Sequence, residues 1–172
     1  MSNLVALSIS IGVLGGIAAA ICLGPLSGIV LIWVVFISWG CFFAIGGDGK
    51  ALQNTIVCNI LGAVIAWIGL LIFLGIPLAE TLTVPIWAGI VVGVTVLIMC
   101  LLAHIEVFSA IPAAVFGYAS VAAYALQTDG ALTMDALTGG SNNALIVVVI
   151  SAVIGAILGM ISGKIGSALT SE

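Results

Sequence analysis

Residues 54–75 read NTIVCNILGAVIAWIGLLIFLG, from Asn54 to Gly75, with no charged side chain. At about 1.5 Å of rise per residue in a helix, this run is long enough to cross the roughly 30 Å hydrocarbon core of a bilayer. Its one strongly polar member away from the ends is Asn59. Lipid is the solvent this stretch is written for.

Five further segments pass the same test: Leu4–Leu23, Leu26–Ile45, Pro85–Ala103, Val107–Leu126 and Asn143–Ser162. Gly24-Pro25, the run Gly46 to Lys50, Gly75-Ile76-Pro77 and the short His104-Ile105-Glu106 separate them. The long loop Gln127 to Asn142 is rich in Thr, Asp, Gly and Asn. The reading is an all-α membrane protein of six transmembrane helices in a single domain, 1–172.

Composition agrees. The chain of 172 residues is 64% hydrophobic and 5% charged, where a soluble domain carries roughly a quarter of its residues as charge. With two cationic side chains in all, it offers no basic patch for phosphate backbones, so nucleic-acid binding is excluded. Cys22, Cys41, Cys58 and Cys100 fall singly in different apolar segments, so they read as small buried hydrophobes and imply neither a metal site nor a disulfide framework. The first segment has no positive stretch before it and reads as a span of the mature protein, not a cleaved leader.

Six spans put both termini on one side of the membrane. Lys50 and Lys164 then share that side, while Glu80, Asp129 and Asp135 face the other. The positive-inside rule makes the lysine side cytoplasmic.

The spans also echo one another. Val35-Phe36 in the second matches Val115-Phe116 in the fifth, and Asp48 to Leu52 matches Asp129 to Leu132 after one deletion. The first and fourth carry Gly12/Gly16 and Gly89/Gly93, and the third has Gly62/Ala66 where the sixth has Gly155/Gly159/Gly163. Three spans per half is an odd number, so a repeat of 1–78 by 79–172 is an inverted one.

Chemistry of the enzymatic kind finds no support. The one His is His104, no acid lies in a span, the serines lack a partnered base, and there is no phosphate-binding loop. No cofactor, metal or catalytic residue is expected.

The glycines are explained by helix association in lipid, which relies on close backbone approach through small residues. Ser8, Gly12, Gly16 and Ala20 recur at every fourth residue, as do Gly155, Gly159 and Gly163. The spacing leaves open whether these faces meet their own chain or another subunit.

Candidates for lining a pathway are the aromatic stripe and the polar residues of the spans. Trp33, Phe36, Gly40 and Phe43 share one stripe with Trp39 and Phe42 adjoining; such a stripe either packs, or, if Phe36 meets Phe116 across the repeat axis, forms a hydrophobic constriction. Ser38, Asn59, Thr95, Ser109 and Ser120 each need a hydrogen-bond partner away from water. Asn59 is the costliest to bury, and either lines a passage or bonds a neighbouring helix. Pro112 interrupts the fifth span, as a kink or beside a cavity. His104 and Glu106 form either a titrating cytoplasmic gate or a plain solvated turn.

The run from Phe36 to Ala44 (FISWGCFFA) followed by Gly46-Gly47, together with Ile111-Pro112 and Phe116-Gly117, resembles the small bacterial inner-membrane proteins grouped as DUF1097. The six-span layout fits along nearly the whole chain. The resemblance implies a multi-pass protein of the bacterial cytoplasmic membrane, and carries no catalytic residue over.

Two functions follow as expectations. The first is a homo-oligomeric channel or facilitator for a small polar, uncharged solute, because ion coupling usually places a charge inside a span. The alternative is a structural or accessory subunit that packs against a partner membrane protein through its glycine faces.

Overall fold

The computed structural model describes residues 1–140 and 143–170. Asn142, the expected end of the long loop, and Glu172, one of the eight charges, lie outside the described residues. Regular structure in the rest is helical: α1 (Asn3–Leu23), α2 (Ile32–Ala44), α3 (Gly49–Gly75), α4 (Ala79–Leu82), α5 (Val84–Leu101), α6 (Ile111–Gln127), α7 (Met134–Thr138) and α8 (Ala144–Leu169). Two 3-10 turns, Leu102–His104 and Glu106–Phe108, lead into α6.

Among the described residues, four helices are long and apolar enough to cross a membrane: α1, α3, α8, and α5 with its 3-10 extension as far as His104. The second and fifth expected spans are shorter as helices than their apolar runs. α2 has 13 residues and α6 has 17, or roughly 20 and 25 Å of rise. Their first parts are wound otherwise. Turns occupy the chain after Pro25, where Gly28 has φ +81, a left-handed conformation that glycine adopts without steric cost.

Before α6 the reason is Pro112. It sits in the first turn of the helix, where a missing N–H costs nothing. The expected mid-span kink is therefore corrected: Pro112 starts α6 instead of bending it.

An irregular stretch among apolar neighbours must satisfy its backbone within the protein. The Leu31 N–H, at the head of α2, donates to Ser151 Oγ on α8 at 2.8 Å. In the 3-10 turn ahead of α6, the Cys58 thiol of α3 donates to the Val107 carbonyl at 3.6 Å. Each irregular stretch is thus met by a small side chain of a long helix.

The long helices pack on short ones distant in the chain. α3 packs most extensively on α6, and α8 on α2 and α1. Contacts give the directions. Leu31 meets Ser151 and Phe42 meets Gly159, so α2 runs parallel to α8, while Ser10 meets Ser162 and Leu7 meets Gly166, so α1 runs antiparallel to it. α5 runs antiparallel to α3, with Trp87 Nε1 donating to the Phe73 carbonyl at 3.2 Å and Gly69 set against Thr95 and Val91. The central core is made of small side chains, among them Val34, Ala63, Ala66, Val121, Val148 and Ala152.

The described part of the expected loop, residues 127–140, holds a helix. α7 is capped by Thr133, and Leu137 is fully buried. Trp67 Nε1 and Asn143 Nδ2 both donate to the Leu137 carbonyl, each at 2.7 Å. Asn143 Oδ1 in turn accepts from Leu145 and Ile146 as the cap of α8, the service Asp48 performs for α3 by accepting from Ala51.

Candidate functional site

The closest backbone approaches come in matched pairs. A Cβ on Gly62 would strike the Ala114 carbonyl, and one on Gly155 the Val35 carbonyl. Gly117 lies on the Asn59 carbonyl, and Ser38, in the same register on α2, donates to the Ala152 carbonyl at 2.6 Å. Trp39 Nε1 donates to Ser162 Oγ at 2.9 Å; Tyr118 Oη and Thr95 Oγ1 bond at 2.9 Å. In the glycine and Ser38 contacts the residues of α2 and α6 keep one offset, and so do those of α3 and α8; Tyr118 instead finds its partner on α5. By that offset Phe36 corresponds to Val115 and not to Phe116.

The polar residues expected to line a pathway are mostly engaged. Ser38 and Asn59 are buried, and Asn59 Nδ2 donates to the Thr55 carbonyl of its own helix at 2.7 Å. Ser120 is buried on α6, and Ser109 is exposed ahead of it. Thr55 Oγ1, which the sequence gives no reason to single out, is buried without a hydrogen-bond partner.

The aromatic stripe divides. Trp39 is buried, whereas Phe36 is 45% exposed and Phe116 37%. Phe36 stacks on Trp39 at 5.8 Å and covers Gly15 of α1. Both Phe rings lie on the outer surface of the chain, so a constriction made by the pair within it is corrected: rings on the outside of the chain close no passage inside it. Phe43 is half-buried, edge-on to Phe42 at 5.2 Å.

His104 and Glu106 are exposed in the 3-10 turns. His104 Nδ1 lies 2.9 Å from the Leu101 carbonyl, and Glu106 is 4.0 Å from Lys50. With both side chains of that ion pair largely in solvent, its contribution is small.

The glycines fall into two classes. Gly155 and Gly159 press on α2. Gly163 meets Phe43 at ordinary contact distance, and Gly12, Gly16, Gly89 and Gly93 have nothing within 4 Å of a built Cβ. Spacing alone did not separate them.

Two of the clefts bear on function. One of about 240 Å³ lies between α3, α5 and α6, lined by apolar groups that include Gly69, Phe73, Val91, Tyr118 and Ala122. The other, about 620 Å³, is lined by Asn3, Phe43, Asp48, Met160, Gly163 and Lys164 with their neighbours.

These features define a multi-pass helical membrane protein in which buried polar groups such as Ser38 and Trp39 Nε1 tie helix to helix. The chain belongs to the family described as "Protein of unknown function (DUF1097)", which matches residues 8–167. No curated protein and no solved structure matches it.

Proposed function

We propose that this protein is a channel or facilitator for a small polar, uncharged solute, working as a homo-oligomer in the bacterial cytoplasmic membrane. The chain crosses six times, α2 and α6 completing their passages with the irregular stretches before them. The two halves form an inverted repeat: α2 parallels α8, α3 parallels α6, and the contacts of one pair recur in register in the other. That recurrence is the observation carrying the reading, because paired inverted halves with interrupted helices are the architecture of many membrane transporters.

Charge supports a neutral cargo. No Asp, Glu, Lys or Arg is buried among the described residues, and coupling to ions or protons usually requires one inside the membrane. The solute route runs between the α2–α8 and α3–α6 pairs, past Ser38, Asn59 and Ser120, when the pairs part. The termini are cytoplasmic, on the side of Lys50 and Lys164. The open faces at Gly12/Gly16 and Gly89/Gly93 are where subunits meet.

The accessory-subunit reading draws on a different observation, the buried apolar cluster of Val34, Ala63, Ala66, Val121, Val148 and Ala152, which fills the space between the pairs. Solute flux into proteoliposomes separates the two. Urea, short amides and small alcohols are compared with empty vesicles and with vesicles holding the Asn59→Leu variant. Transport predicts faster entry of at least one solute, lost in the variant while the oligomer persists. Entry no faster than into empty vesicles for the whole panel sinks the transport reading.

A further inference from the structure

We infer that the cleft of about 620 Å³ beside the chain termini is a binding site for a zwitterionic phospholipid. Its walls are the start of α1, the turn between α2 and α3, and the last turns of α8. Each wall runs from apolar to polar toward the end of the bundle: Leu7 to Asn3, Phe43 to Asp48, and Met160 to Lys164. An amphipathic ligand matches that gradient.

The charges narrow the headgroup. Asp48 and Lys164 both line the cleft, yet the ion pair formed within 4.0 Å among the described residues is Lys50 with Glu106. Asp48 Oδ1 accepts from the Ala51 N–H, which leaves its second oxygen for a ligand cation. A purely anionic headgroup would be repelled by Asp48, and a purely cationic one by Lys164. A phosphate on the Lys164 ammonium and a primary amine on the Asp48 carboxylate satisfy both. Glycine keeps the room open: Gly163 adds no side chain to the wall, and Gly46 and Gly47 turn with φ +131 and +69.

This inference is independent of the transport reading. Thermal midpoints of the purified protein in detergent, with phosphatidylethanolamine, phosphatidylglycerol, diacylglycerol or soluble phosphoethanolamine added, test it alongside mass spectrometry of the lipid that copurifies. Phosphatidylethanolamine is expected to bind about fivefold or more tightly than phosphatidylglycerol, with diacylglycerol and soluble phosphoethanolamine inert. Asp48→Asn should erase that preference, and because Asn caps a helix as well as Asp the fold is retained; Lys164→Gln should weaken both phospholipids. Equal binding of the two phospholipids to the unmodified protein would overturn the inference. So would a preference surviving Asp48→Asn, or stabilisation by phosphoethanolamine equal to that by the lipid, which would assign the cleft to a soluble zwitterion.

Discussion

At the residue scale, a glycine's meaning depends on what its bare face meets. Gly62→Ala sets a methyl against the Ala114 carbonyl, and overpacking of this kind costs roughly 1–3 kcal/mol or more. Gly89→Ala meets open space within the chain, and alanine is the better helix former by about 1 kcal/mol. Heating the two variants in detergent and measuring the folded fraction should show a large loss for Gly62→Ala and none for Gly89→Ala. The Trp39–Ser162 bond allows a second check: a double-mutant cycle with Trp39→Phe and Ser162→Ala is expected to give a coupling near the membrane average of about 0.6 kcal/mol. Four-residue spacing announces a smooth helix face and is silent on its neighbour, so Gly12 and Gly155 were indistinguishable in the sequence. The burial of Asn59 in an apolar run was legible; its bond to Thr55 depends on rotamer and was not.

At the scale of elements, the short helices are the least legible part. Hydropathy sees Leu26 to Ile45 as one apolar run, and turns made of Leu, Ile and Val are as apolar as a helix. What fixes the start of α2 is a side chain from α8, far along the chain, and no local pattern carries that. Ser151→Ala leaves the Leu31 N–H without its partner in the protein interior, an expected loss of roughly 1–3 kcal/mol, with faster exchange of the amides at the head of α2 as the specific sign. Pro112→Ala should shift stability by less than about 1 kcal/mol, since first-turn proline is well tolerated; a loss approaching 3 kcal/mol would place it in a helix interior. Denaturant titration in mixed micelles reads both. Pro25 and Pro112 are turn signals the sequence displays, but in runs this apolar hydropathy outweighs them.

At the scale of the whole molecule, the membrane class followed from composition, because few charges and long apolar runs admit one solvent. The long helices followed too, their length set by the bilayer. The pairing of α2 with α8 and of α3 with α6 did not, since apolar segments of similar composition carry little information on which pairs with which. The outward glycines lead to a last expectation: Gly12→Leu with Gly16→Leu should shift the native mass of the purified protein toward the monomer while its helicity and the core bonds of Trp39 persist. Unchanged mass would take subunit contact away from this face of α1.

The embrace of α2 by α8 also bears on how the protein is made. The ribosome delivers α1, α2 and α3 first, yet the head of α2 receives its Ser151 partner only after the final helix has been synthesised. Until then the Leu31 N–H lacks that partner. A chain halted before α8 is expected to exchange the amides at the head of α2 as fast as the Ser151→Ala variant does. α8 therefore completes the surroundings of a helix synthesised 120 residues before Ser151.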